Sequence, residues 1–215
     1  MIIASKLMAI GMIALSLAIG FLSFFLFSDL TKEKKKRYIE ELTSQIINFV
    51  VFIWLGKIVL NLSVFISDPL SILAYPSDSN AFYFAFVLEA LLLLYQSKRK
   101  NKNVLPLMES FAHVFLISSF VYEFIQFVTV DNPYTLGYLI LLAILIGVFF
   151  ILRERMSITI LLMIQVTAYS IGMIILSFVQ PFITVFGYMI APWFVRVFFV
   201  MSIGGLTYKL RKRDT

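Results

Sequence analysis

"NFVVFIWLGKIVLNLSVFI", Asn48 to Ile66, is apolar at nearly every position. A helix needs about 20 such residues to cross the hydrocarbon layer of a bilayer. One residue breaks the pattern. Lys57 stands at the centre, where an ammonium group costs about 2.5–3.5 kcal/mol to insert. The stretch reads as a membrane span carrying a charge for a reason, and the rest of the chain is read outward from it.

Composition agrees. Of 215 residues, 61% are hydrophobic and 14% charged, with 23 Phe, against roughly 45–50% apolar and 25% charged in soluble domains. One globular core cannot bury that excess. Seven apolar segments can be marked, at residues 7–27, 45–66, 81–96, 105–129, 134–152, 158–179 and 183–208. They predict an all-α fold, a polytopic integral membrane bundle of seven transmembrane helices. Residues 1–215 are expected to form a single transmembrane domain with no separate soluble domain.

Charge sets the orientation. Five basic residues fall in Lys32–Arg37, four in Lys98–Lys102, two in Arg153–Arg155 and four in Lys209–Arg213, fifteen of the eighteen in the chain. These are alternate connections plus the tail. The remaining connections hold Asp68, Asp78 and Asp131 and no cation. The positive-inside rule then puts the basic segments in the cytoplasm, with the N-terminus outside and the C-terminus inside. The first segment lacks a small-x-small cleavage site and runs straight into "KEKKKR", so it reads as a retained helix rather than a signal peptide. Asp29–Leu42 is expected to form a short surface helix with Asp29 or Thr31 as N-cap. Topology accounts for the net charge of +6, with anionic lipid head groups as a further contact. The expected partners are the lipid bilayer and another membrane protein, and nucleic-acid binding has no support.

Much chemistry is excluded. Without cysteine there are no disulfides, thiolate metal sites or Cys nucleophiles. A single His and no H-E-x-x-H leave no metal and no cofactor to expect. No span contains Asp, and G-x-S-x-G, P-loop and G-x-G-x-x-G patterns are missing. Abundant Phe, Ile and Lys point to an AT-rich bacterial genome and a plasma membrane.

The remaining signal is the ionisable residues inside the spans. Lys57, Glu89 and Arg196 fall near the centres of the second, third and seventh, and Glu123 about 8 Å outward from the middle of the fourth. Two cations and two anions are thus expected to share a layer and to pair, Glu89 being the first choice of partner for Lys57 and Glu123 the second. On the fourth span Glu109, His113, Leu116, Phe120 and Glu123 lie within about 80° of one another. Glu109, near the cytoplasmic face, is expected to meet loop cations, and it sits four residues before His113, placed to hold that ring. Trp54, Lys57 and Asn61 share a face of the second span, as do Gln165, Tyr169 and Gly172 of the sixth. Pro192, four residues before Arg196, is expected to kink the seventh helix.

Intramembrane ionisable residues mark a pathway or site by default. The candidates are therefore Lys57, Glu89, Glu123, Arg196, His113 and Glu109, a purely structural clamp being the plain alternative. Three functions fit. The first is a permease for a small solute or ion. The second is an accessory or sensory subunit that binds another membrane protein. The third, an enzyme acting on a lipid-linked substrate, would use Glu109 or Glu123 with His113 as acid and base and Arg196 on a phosphate, but no motif supports it.

Overall fold

A computed structural model describes residues 2–70, 79–99, 104–130, 132 and 134–211, with side chains over 7–208 of that set. The loop residues Asp78, Lys100, Lys102 and Asp131, the tail residues Lys212 and Arg213, and the side chains of Lys6, Lys209 and Arg211 lie outside the described residues.

The fold is an all-α bundle. Its helices are α1 (Ile2–Phe27), α2 (Lys32–Leu60), the single-turn-and-a-half α3 (Leu62–Ser67), α4 (Ser79–Arg99), α5 (Val104–Thr129), α6 (Thr135–Arg153), α7 (Ile158–Val179) and α8 (Pro192–Arg211). Six of these, α1, α2 and α4–α7, are long and apolar enough to cross a membrane, and α8 adds a shorter apolar helix over Pro192–Tyr208. The basic residues of α2's first turns, of the end of α4 and of the end of α6 gather at one end, called here the basic end. Asp29 and Glu109 meet Arg153 there.

α5 is the hub. It packs against α1, α2, α6 and α7, while α2 pairs with α4 and α7 with α8. Gly20 lets α1 approach α5 so closely that a Cβ there would collide with Ser118 Oγ, the small-residue contact typical of helices that associate in lipid. The largest buried cluster joins Leu116, Leu142, Phe149, Leu161, Met173 and Val195 across α5, α6, α7 and α8.

Two elements depart from the sequence expectation. The first is α2, which runs unbroken from Lys32 to Leu60 instead of splitting into a surface helix and a span. Its 29 residues make roughly 43 Å of helix, longer than the hydrocarbon layer of about 30 Å, so its charged first turns project beyond the apolar layer. Thr31 takes the N-cap position with extended backbone but makes no side-chain cap bond. Asn61 ends the helix, its side-chain amide donating to the Lys57 carbonyl at 3.0 Å.

The second is the seventh apolar segment, which is not one helix. Residues Ile183–Val185 (β1) and Tyr188–Ile190 (β2) form an antiparallel hairpin with Val185 opposite Tyr188. Its two-residue loop, Phe186 and Gly187, has φ of 48° and 81°, the positive pair that a tight hairpin turn of matching twist requires. Pro192 does not kink a helix. It is the first residue of α8, where its missing N–H is not needed and its fixed φ suits the helix start.

Non-helical backbone packed inside the bundle needs partners for its polar groups. Tyrosines meet part of that need here. Thr184 N–H donates to Tyr138 Oη at 3.0 Å and Ala191 N–H to Tyr83 Oη at 2.7 Å, while Ser79 Oγ donates to the Met189 carbonyl at 2.7 Å. Phe186 is a bulky residue in the left-handed region, an uncommon conformation. Its ring is seated against Phe115 and Tyr122 of α5, with centroids 5.9 and 5.5 Å away.

Candidate functional site

Hairpin, α5, α6 and the end of α7 enclose a cavity of about 120 Å³ at the end of the bundle opposite the basic segments. Tyr122, Glu123 and Gln126 come from the outer turns of α5, Thr135 and Tyr138 from the first turns of α6, Gln180 from the residue capping α7, and Thr184 from β1. Exposed Tyr134, Phe182 and Gly187 stand at its rim. A smaller recess of about 10 Å³ lies beside it, sharing Tyr122, Glu123, Tyr138 and Thr184 and bounded by Ser119, Tyr169 and Phe186.

Among the described residues, Glu123 is the only charged side chain in either lining. It is 6% exposed, and among the described residues its carboxylate has neither an ion-pair nor a hydrogen-bond partner. The walls around it are fixed by their own bonds. Gln126 Nε2 donates to Tyr122 Oη at 2.9 Å, Tyr138 Oη accepts Thr184 N–H, and Gln180 Nε2 donates to the Tyr134 carbonyl at 2.9 Å. This last bond leaves Gln180 Oε1 buried with no hydrogen-bond partner. Ser119 Oγ, one turn deeper than Glu123 on the same face of α5, is likewise buried and unsatisfied. Below them packed Leu116, Phe149 and Leu161 close the bundle toward the basic end.

The other candidates are dispersed. Lys57 is 9% exposed and lies in the last turn of α2, where a cation complements the helix dipole. A Cβ built on Gly56 would stand 3.2 Å from the Ala81 Cα, so Lys57 is level with the start of α4. Glu89 is eight residues further along α4, about 12 Å deeper. The expected Lys57–Glu89 pair is therefore not formed, and both Glu89 oxygens are buried without a hydrogen-bond partner. The cause is the length of α2, which puts Lys57 near the end of a long helix rather than the middle of a short one. Trp54, placed on the Lys57 face by spacing, is 50% exposed on the outside of the bundle.

Arg196 is also corrected. It is exposed, one turn into α8, and no acidic partner meets it among the described residues. Because α8 starts only at Pro192, Arg196 lies about 6 Å from the helix end, within reach of the interface for a long side chain that snorkels. Among the described residues no ion pair joins Glu89, Glu123 or Arg196 to another of the four charges.

Glu109 is at the basic end, as expected of a residue meeting cations there. Arg153 Nε donates to its Oε1 at 2.9 Å, and Arg153 Nη1 lies 3.5 Å from Asp29 Oδ2. His113 is not held by Glu109. It is 2% exposed, its Nε2 is 3.1 Å from Ser23 Oγ, and the rings of Phe24, Phe149 and Phe150 surround it with centroids 5.2–5.8 Å away. That is a packed interior histidine between α1, α5 and α6. Among the described residues no three His, Asp or Glu side chains converge to hold a metal ion.

Of the six sequence candidates, only Glu123 reaches the cavity. Its companions, Tyr122, Tyr138, Gln180 and Thr184, were not singled out, because uncharged side chains in an apolar run look like ordinary packing. One signal was available: "ITVFGYMI" joins β-branched residues through a Phe-Gly pair between Pro181 and Pro192, a hairpin pattern.

No family model matches the chain, and no curated protein or solved structure matches it significantly.

Proposed function

We propose that this multi-pass membrane protein is a permease for a small solute, which it takes up in the cavity over Glu123. One observation carries the reading: a carboxylate with no partner among the described residues lies at the wall of a cavity whose rim is exposed. Burying an ionised carboxylate without a countercharge is costly, so a group kept in that state is one that a solute, or a proton, completes. Packed side chains close the opposite side, so passage requires a rearrangement that opens the basic end as the cavity closes. The hairpin is the natural moving part, being a short non-helical element held by a few tyrosine bonds and one strained turn. By the positive-inside rule the basic end is cytoplasmic and the cavity external, in a bacterial plasma membrane.

Solute flux into proteoliposomes tests this. Wild-type protein and Glu89→Gln, whose carboxylate is outside the cavity, should support uptake of the same solutes. Glu123→Gln, equal in size, should fold and abolish it. Equal flux through wild type and Glu123→Gln would remove the basis of the reading.

A further inference from the structure

The cavity carries information about what it takes. Its one charged group among the described residues is an acceptor. Glu123 offers two carboxylate oxygens with no partner among the described residues, while Gln180 Oε1 is itself buried and its amide nitrogen is committed to the Tyr134 carbonyl. The hydroxyls of Tyr122 and Tyr138 accept from Gln126 and from Thr184 N–H and keep their own O–H groups as donors. Among the described residues no Lys, Arg or His lines the cavity. A group that satisfies such a site brings positive charge and N–H donors together.

Size narrows the choice. An apolar cavity of about 150 Å³ holds a benzene molecule. A volume of about 120 Å³ is of the size that takes about five heavy atoms. Tyr122, Tyr134 and Tyr138 add ring faces and edges to the lining, and aromatic faces attract cations directly.

We infer that the cavity selects a compact primary ammonium cation, its charge and N–H groups met by the Glu123 carboxylate. This rests on reading the cavity as a solute site and names the solute's chemical class. A quaternary ammonium has the charge but no donor. A small alcohol has a donor but no charge, and an anion meets an uncompensated carboxylate.

Calorimetric titration of the full chain in nanodiscs, with ethylammonium, tetramethylammonium and 1-propanol as probes, tests the inference. Ethylammonium should bind roughly tenfold or more tightly than either of the others, the worth of hydrogen bonds to charged groups. Glu123→Gln should weaken ethylammonium by at least about 30-fold, as expected for removing one member of a buried charge pair. Comparable binding of all three probes, or ethylammonium affinity unchanged in Glu123→Gln, overturns the inference. Should Glu123→Gln fail to fold, the ranking of probes on the wild-type chain decides.

Uptake in proteoliposomes separates the two claims. If ethylammonium binds as ranked but does not cross, the ligand class stands and the permease reading falls. If neutral solutes cross while ethylammonium neither binds nor competes, the permease reading stands and the ammonium class falls.

Discussion

Tyr138 Oη accepts the backbone N–H of Thr184 at 3.0 Å, and through that bond the second turn of α6 holds the edge of the hairpin beside Glu123. A side chain is doing what a neighbouring strand does in a sheet. Replacing it leaves a donor inside the bundle with nothing to meet it.

Tyr138→Phe should therefore destabilise the protein by about 1–3 kcal/mol, the penalty for an unsatisfied buried donor. Thermal unfolding in detergent gives the magnitude. Hydrogen exchange gives the location: Thr184 and its hairpin neighbours should exchange faster, while α1 and α2 keep their protection. Uniform protection in the variant would show that the hydroxyl holds nothing.

The turn makes a second expectation. Gly187 has φ +81°, and a Cβ there would stand 2.9 Å from Tyr122 Oη. Gly187→Ala adds the left-handed penalty of about 1–2 kcal/mol and displaces the Tyr122 hydroxyl from Gln126. Loss of stability together with weakened solute binding is expected, read by unfolding and by titration. Binding that survives intact would mean that the turn and the cavity wall are independent.

At the basic end, the Arg153–Glu109 pair is largely buried, with side chains 13% and 19% exposed, whereas Asp29 is 77% exposed. A double-mutant cycle of Arg153→Gln and Glu109→Gln should give a coupling of about 0.5–3 kcal/mol. Asp29→Asn should cost no more than about 1 kcal/mol, as for exposed pairs. If Asp29 proves the stronger partner, the side-chain arrangement at this end is wrong.

Lys57 and Glu89 lie on different levels of the α2–α4 pair, so Lys57→Met and Glu89→Gln should act separately. Their stability losses should add to within roughly 0.3–0.5 kcal/mol. A large positive coupling in the folded yield or unfolding free energy would restore the pair that depth-matching on the sequence predicted.

These residues also show what the sequence made legible. The apolar runs of α1 and α4–α7 were visible because a spanning helix must be apolar along its length, and their ends fall within a few residues of the expected bounds. Glu109 at the basic end followed from position alone. Lys57 and Arg196 were misplaced because a charge's depth depends on where its helix begins. α2 begins in the basic segment at Lys32, and α8 begins only at Pro192. An apolar run of mixed β-branched and aromatic residues fits helix and strand alike, and only "FG" between two prolines separated them. The cavity was hidden for a different reason. It is built by tertiary contacts of Tyr, Gln and Thr side chains around one carboxylate, and no spacing rule brings those together.

The account rests on Glu123 facing water at the end of the bundle away from the basic segments. The chain contains no cysteine, so a single engineered thiol is the only one present. The most direct measurement is labelling of Gln126→Cys, at the cavity wall, by a membrane-impermeant maleimide applied to either side of oriented vesicles. The thiol should react from the side opposite the Lys32–Arg37 segment, and ethylammonium should slow it. Labelling only from the basic side, or none while a thiol at Arg155 reacts normally, would contradict the account.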